Sequence, residues 1–214
     1  MREIGISKNR FWEEGRPMPT IKWVGFQKWD REYPDLPIPE NAVPMDSPKD
    51  LLKASVPFGV LPMLLCFAAL VGKRLYYGEF PLDRSFAVAG ILCGLILIPV
   101  HELLHAVCFP HGATAYVGIS PEKFAAFTVC FAPMSKKRFV VMSLMPVLLG
   151  MIPLVLFLAV PISWKIPSAI FWPAAMIGMI SPSPDYMDVW NFGKTVPRGA
   201  FVQSSNRGWY WYQK

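Results

Sequence analysis

The sequence predicts an all-α polytopic membrane protein with about four transmembrane helices and a β-hairpin-like loop between the second and third spans. The first observation is compositional: the 214 residues are 53% hydrophobic and 17% charged, with a mean hydropathy of +0.34. Soluble domains carry about 25% charged residues. The second observation is that the apolar residues stand in long blocks, of the length that a helix needs to cross a bilayer. The length of these blocks excludes a soluble enzyme with buried helices.

Four apolar blocks are candidate spans: residues 54–72, 86–110, 139–160 and 167–180. A helix needs about 20 apolar residues to cross a bilayer, with about 17 as the lower limit. The first three blocks meet this requirement. The fourth meets it only when it is extended back to Ile162, and the ammonium group of Lys165 must then reach the membrane surface along its flexible stem.

The distribution of basic residues predicts the orientation, because cytoplasmic loops are enriched in Lys and Arg. The loop at residues 111–138 and the tail after residue 180 each carry four of them, while the opposite side carries Lys73, Arg74 and Arg84 and then only Lys165. With four spans, both termini are expected in the cytoplasm of a multi-pass cell-membrane protein. The same enrichment accounts for the formal net charge of +6. No motif of aromatic and basic residues indicates a nucleic-acid partner.

The second block carries three ionisable residues, His101, Glu102 and His105, in the pattern His-Glu-Leu-Leu-His. Residues four apart lie on one face of a helix, so the two imidazoles can bind one ion. Zinc accepts histidine nitrogen, and catalytic zinc sites combine three protein ligands with a water molecule. Glu102 lies one step round the helix, where it can take a proton from that water. Because ionisable residues inside a span are costly and mark functional sites, the pattern predicts a zinc site with Glu102 as the catalytic residue.

The third zinc ligand is expected from the segment that follows the fourth block. The second and fourth spans are predicted to run in the same direction, so His105 and Asp185 come out at the same membrane face. Asp185, which is nearest to the span, is the first candidate, and Asp188, one helical turn further on, is the alternative. His111, the other histidine of the chain, lies beyond Pro110 and is expected to lie off the ligand face.

Two β-prone runs, residues 115–119 and 124–131, flank a short turn and predict a hairpin between the second and third spans. A weaker version of the pattern recurs in the tail at residues 200–203 and 209–212. An exposed edge of the first hairpin could hold a substrate in extended form by β-augmentation. A hairpin that only covers the site is the alternative.

The helix-borne motif, together with an aspartate at the end of a later span, resembles the intramembrane metalloproteases of the site-two type. The chain from about residue 39 onward is more closely similar to a family of small bacterial membrane proteins of the zincin type. That likeness includes Pro-Glu-Asn-Ala-Val-Pro at residues 39–44, the hairpin-like loop and Pro146. The site-two enzymes typically present Asn-Pro-any-any-Pro-any-any-Asp-Gly around their third ligand, whereas this chain has Pro-Ser-Pro-Asp at residues 182–185, followed by Tyr186. The resemblance implies hydrolysis of peptide bonds.

We therefore predict a polar, Pro-rich cytoplasmic arm (1–50), a membrane-embedded metallopeptidase-like domain (51–190) and a cytoplasmic tail with a possible hairpin (191–214). The predicted function is that of a zinc-dependent membrane-embedded endopeptidase, with the lipid bilayer and a peptide or membrane-protein substrate as partners. The alternative is a non-catalytic metal-binding membrane protein, either a transporter subunit or a structural partner. A transporter would show internal repeats or charged residues along several spans. The intramembrane charge is instead concentrated at one point, which favours the endopeptidase. The oligomeric state does not follow from the sequence.

Overall fold

The structure is a computed structural model, and it describes residues 18–48, 50–123 and 125–213. About 56% of the described residues are helical, and two β-sheets accompany the helices. The prediction of an all-α protein is therefore wrong. The first sheet joins a strand of the N-terminal arm to the predicted hairpin, and the second joins the arm to the tail. Pairing between segments so far apart along the chain leaves little local signal, since strand propensity depends mainly on context.

The helices form the greater part of the described chain. In chain order they are α1 (Leu51–Tyr77), α2 (Ala87–Cys108), α3 (Lys136–Leu144), α4 (Leu148–Ala159), α5 (Lys165–Ile180) and α6 (Ser183–Thr195). A single 3₁₀ turn at Met145–Val147 joins α3 to α4. The two helices therefore follow one another as a nearly continuous rod.

Three helical stretches are long and apolar enough to cross a membrane: Leu51–Tyr77, Arg84–Cys108 and Lys136–Ala159. They cover the first three predicted spans. The fourth block forms α5, which has 16 residues and at 1.5 Å per residue rises about 24 Å. The hydrocarbon core of a bilayer is about 30 Å thick. Length and composition thus support three spans, and a crossing by α5 stays a prediction.

Seven short strands lie outside these helices in the described chain. They are β1 (Thr20–Phe26), β2 (Val43–Pro44), β3 (Thr114–Ser120), β4 (Ala125–Val129), β5 (Met134–Ser135), β6 (Phe201–Ser205) and β7 (Gly208–Tyr212). One sheet has the order β1-β3-β4, with β1 parallel and β4 antiparallel to β3. The other has the order β2-β7-β6-β5 and is antiparallel throughout. Both predicted hairpins are therefore present, as β3–β4 and β6–β7.

The N-terminal arm connects the two sheets. The ring of Tyr33 stacks on that of Tyr116 in β3, with the ring centroids 4.8 Å apart. The side chain of Asn206, in the turn between β6 and β7, accepts a hydrogen bond from the backbone N–H of Tyr33 at 3.2 Å and donates one to its C=O at 2.8 Å. The backbone N–H of Asn206 also donates to the Asp35 carboxylate at 3.0 Å. One residue of the arm thus contacts both sheets at once.

Helix α5 is the central helix of the bundle and packs against α1, α2 and α4. Its close approach to two of them requires glycine. A Cβ atom on Gly150 of α4 would lie 2.4 Å from the backbone nitrogen of Met179, and the reciprocal Cβ on Gly178 would meet the backbone of Gly150 at 2.6 Å. On α2, a Cβ on Gly90 would lie 2.4 Å from the carbonyl oxygen of Ala169. Small residues at such contacts let helix backbones pack closely inside a membrane.

Three basic side chains cap the C-terminal ends of helices. Lys73, near the end of α1, is buried and donates hydrogen bonds to the carbonyl groups of Phe157 and Val160 at the end of α4. Arg138 does the same for α2 and Lys136 for α6, with donor–acceptor distances between 2.5 and 3.1 Å. The last carbonyls of a helix have no partner within the helix, and a cation there also interacts favourably with the helix dipole. These contacts join helices that are distant in the sequence.

We predict that Gly150→Ala destabilises the protein, because the added methyl group must displace the backbone of α5, and overpacking of this kind costs about 1–3 kcal/mol. Gly72→Ala in α1 is the matched control, since nothing lies within 4 Å of its Cβ position and alanine favours a helix. Thermal unfolding of the purified protein in one detergent measures both variants. Equal melting temperatures for the two would contradict the close contact of α4 with α5.

Candidate metal centre

Two parallel helices position the candidate site. Gly90 of α2 lies against Ala169 of α5, and four residues further along α2, Gly94 lies against Ile177, so the helices run in the same direction. Continuing in that direction, α2 reaches the histidine motif, while α5 ends and a two-residue turn leads into α6. Asp185 lies in the first turn of α6. The parallel course of α2 and α5 thus brings the motif and the aspartate to the same level.

Three potential ligand atoms converge at this level. His101 and His105 are 7% and 6% exposed, and their Nε2 atoms are 3.0 Å apart. The Asp185 carboxylate places Oδ2 at 3.2 Å from Nε2 of His101 and Oδ1 at 3.2 Å from Nε2 of His105. Among the described residues this is the one group of three such side chains that could hold a metal ion.

The donor set fits zinc. Zinc takes nitrogen and carboxylate oxygen ligands at about 2.0–2.2 Å in tetrahedral geometry, which places neighbouring donor atoms about 3.3 Å apart. The three observed separations, 3.0, 3.2 and 3.2 Å, are close to this value. His101, His105 and Asp185 are therefore the residues that would hold the ion. Asp188 is outside the group.

A backbone contact selects the tautomer of His105. Its Nδ1 atom lies 2.9 Å from the carbonyl oxygen of Met142 in α3. A carbonyl only accepts hydrogen bonds, so in the neutral ring Nδ1 carries the proton and Nε2 carries the lone pair that a metal requires. Nδ1 of His101 is also buried, and it has no hydrogen-bond partner among the described residues. The orientation of His105 is therefore held by a neighbouring helix.

Glu102 lies beside the three ligands and is only partly buried. Its carboxylate is close enough to His105 for the charge of the carboxylate to act on that ring. Within the described part of the chain, no hydrogen bond or ion pair involves this carboxylate. The backbone carbonyl of Glu102, in contrast, accepts a hydrogen bond from the Thr128 hydroxyl of β4 at 2.9 Å. A free carboxylate next to a metal site is available for proton transfer.

The two aspartates of α6 have different electrostatic surroundings. Burial acts to raise the pKa of Asp185, but its hydrogen bonds and charge interactions with His101 and His105 outweigh burial and hold that pKa below its ordinary value. Asp188 has no such partners, and burial together with the charge of Asp185 raises the pKa of Asp188 to about 7. The aspartate that faces the histidines is therefore the one that stays ionised, as a metal ligand must be.

A cavity of about 750 Å³ begins one helical turn from Asp185. It is lined by Asp188 and Asn191 of α6, by Phe127 of β4, by Trp209 of β7, and by residues of the N-terminal arm, namely Lys28, Trp29, Arg31, Tyr33 and 45–48. Clefts that bind small ligands are typically about 300–1,000 Å³. The cavity is large enough for several residues of an extended peptide.

The structure places each predicted site residue. His101, His105 and Asp185 meet, Glu102 lies beside them, and Asp188 faces the cavity one turn away. His111 is exposed in the turn after α2 and is not part of the group.

Two contacts were missed in the sequence. The first is the Met142 carbonyl, which any residue type could supply and which therefore has no sequence signal. The second is Thr128, whose place in a β-prone run was the only available indication.

A helix with the pattern His-Glu-any-any-His, whose histidines meet a third ligand from another segment, defines the metal centre of a zincin peptidase. A family model described as "putative zincin peptidase" matches residues 94–200, half of the chain, and the match includes all four residues of the site. The chain belongs to this family. No curated protein and no solved structure is significantly similar to it.

We predict that the purified protein binds about one zinc ion per chain, and that His101→Ala, His105→Ala and Asp185→Asn each lose it, because each removes one of three ligands. Asp188→Asn is the matched control for the aspartate: it makes the same chemical change one turn away and should retain zinc. Elemental analysis after dialysis measures the metal content. Zinc that is lost with Asp188→Asn but kept with Asp185→Asn would reassign the third ligand.

Proposed function

We propose that the protein is a zinc-dependent, membrane-embedded endopeptidase, with His101, His105 and Asp185 as the zinc ligands and Glu102 as the general base. One observation carries the proposal: three ligand atoms converge beside a carboxylate that has no partner of its own among the described residues. In a purely structural cluster that carboxylate would be paired, because an unpaired buried or half-buried charge is costly.

The chemistry divides between the ion and the chain. When bound, zinc supplies Lewis acidity, which polarises a substrate carbonyl and makes a water molecule acidic enough to lose a proton near neutral pH. Glu102 accepts that proton while the water oxygen bonds to the carbonyl carbon. The same carboxyl group then returns the proton to the amine nitrogen as the C–N bond breaks. The Met142 carbonyl holds the ring of His105 so that Nε2 stays directed at the site.

The free edge of β4 is the surface on which we propose that the substrate lies. β3 is paired on both sides, with β1 and β4, whereas β4 has no further partner strand among the described residues. A peptide added to that edge is extended, so its peptide bonds are not protected by helical hydrogen bonds. Of the two runs considered as a substrate edge, the second is therefore the better candidate. Residues 125–129 of it form the strand, and Phe124 lies outside the described residues.

Thr128 joins this strand to the motif. Its hydroxyl donates to the carbonyl of Glu102, the residue whose side chain is the proposed base. The hydrogen bond therefore keeps the β4 edge and the base at a constant separation. We propose that this fixes which peptide bond of a bound strand reaches the site.

We further propose that the site opens at the cytoplasmic surface of the cell membrane, with both termini in the cytoplasm. α2 lies within one of the three stretches that can cross a membrane. His101 stands seven residues before its end at Cys108, about 10 Å along the helix axis. A site at this depth favours peptide or membrane-protein segments close to the bilayer surface as substrates.

We predict that Glu102→Gln lowers peptide hydrolysis by about 10²–10⁴-fold, the usual contribution of a general base, while the zinc content stays unchanged. A degenerate peptide mixture, analysed by mass spectrometry for new termini, measures the activity. Glu40→Gln, at an exposed position of the arm, makes the same change far from the site and serves as the control. Hydrolysis that persists in zinc-loaded Glu102→Gln would contradict the assignment of the base. A zinc-loaded native protein that cleaves nothing would favour the non-catalytic alternative.

We predict that Thr128→Val, which keeps the shape of the side chain and removes its hydroxyl, lowers the cleavage rate several-fold and spreads cleavage over neighbouring peptide bonds. The loss of one hydrogen bond costs about 1 kcal/mol. Thr128→Ser should restore a single cleavage position. The positions are determined by mass spectrometry, and melting temperatures of the three proteins control for folding. An unchanged cleavage pattern in the valine variant would show that Thr128 has no part in placing the substrate.

A further inference from the structure

We propose that Asp188 is a specificity-determining residue, and that it selects substrates with a basic side chain one or two residues from the scissile bond. This inference rests on the proposed endopeptidase function and names a substrate class for it. The observations that carry it are the cavity beside the metal centre, the position of Asp188 in its wall, and the absence of a partner for this carboxylate.

The cavity connects the proposed substrate edge to α6. β4 lines it through Ala125, Phe127 and Val129, and α6 lines it through Asp188 and Asn191. Residues three apart lie on the same face of a helix, so these two polar groups both face into the cavity. Aromatic rings, including those of Phe127 and Trp209, form much of the remaining surface. Such a cleft suits a peptide whose apolar parts contact the rings and whose polar group meets α6.

Asp188 is half-buried and has no hydrogen-bond or ion-pair partner among the residues that the structure describes. Asp185, one turn away, adds a like charge. Burying an unpaired carboxylate is unfavourable, and a cation brought by a ligand relieves that cost. The other acidic residues of the cavity wall, Asp46 and Asp50, are exposed, and Asp50 accepts the hydrogen bond that begins α1. Asp188 is therefore the carboxylate of the cavity wall at which a cation of the ligand contributes most to the binding free energy.

Basic residues also line the cavity, but they do not neutralise Asp188. Arg31 is hydrogen-bonded to Gln27 and lies over the ring of Tyr33. Lys28 and Lys123 are exposed. None of the three forms an ion pair with Asp188 in the described structure. The cleft thus has its cations on the side of the arm and the β-sheet, and a carboxyl group without an ion-pair partner on the side of α6.

The spacing along α6 sets the position of the selected residue. Asp188 lies three residues after the metal ligand Asp185, about 4.5 Å further along the helix axis. An extended peptide advances about 3.3 Å per residue. A side chain that reaches Asp188 therefore belongs to a residue one or two positions from the peptide bond at the metal centre.

The test is a binding measurement that needs no turnover. Fluorescein-labelled nonapeptides, identical except for Lys, Gln or Glu at one internal position, are titrated against zinc-loaded full-length Glu102→Gln in an uncharged detergent, with fluorescence anisotropy as the readout. We expect the Lys peptide to bind about tenfold more tightly than the Gln peptide, the size of one charge-assisted hydrogen bond. The Glu peptide should bind most weakly.

Three further variants in the same Glu102→Gln background assign this preference to a residue. Asp188→Asn should remove it, Asp188→Lys should invert it in favour of the Glu peptide, and Glu40→Gln should leave it unchanged. Equal affinities for the three peptides, no binding at all, or a preference that survives both Asp188 variants would overturn the inference. Hydrolysis of the same peptides by the protein with Glu102 intact is scored separately. Its absence would count against the proposed function, whereas hydrolysis without a preference for Lys would count against the role of Asp188 alone.

Discussion

The close contact between α2 and α5 determines the geometry of the site. The helical spacing within α2 is enough to bring the two histidines together. Asp185 reaches them because α5 runs parallel to α2 and ends at the level of the histidine motif. That course depends on a glycine of α2, Gly90, where the backbones meet without intervening side chains. This close contact brings three donor atoms together in a largely buried environment, where metal–ligand and charge interactions are stronger than in water. Packing and chemistry are therefore set by the same helix pair.

The sequence predicted those parts of the molecule whose signal is local. Helical periodicity places His101 and His105 on one face of α2, and the shared direction of the second and fourth apolar blocks brings Asp185 to them. The all-α assignment failed because β1 and β2 pair with strands far along the chain. The Met142 carbonyl could not have been found, since a backbone group is independent of residue type. Contacts that depend on three-dimensional proximity alone were the ones missed.

Some of the basic residues that predict the membrane orientation also cap the C-terminal ends of helices. Lys136 and Arg138 were counted as loop charges that indicate the cytoplasm, and in the structure their side chains satisfy the last carbonyls of α6 and α2. Lys73 lies on the side predicted to be outside the cytoplasm, where basic residues are less expected, and its side chain caps α4. Carbonyls near an apolar medium need donors that water cannot supply. The charge distribution therefore reflects helix termination as well as topology.

The two hydrogen bonds between the Asn206 side chain and the backbone of Tyr33 have a consequence for the order in which the protein folds during synthesis. The arm is synthesised long before the β6–β7 turn, yet both line the same cleft and contact each other there. Until β7 has been synthesised and has paired with β2, the histidines of α2 lie beside an incomplete cleft. The order of synthesis therefore makes the cleft one of the last parts of the described chain to form.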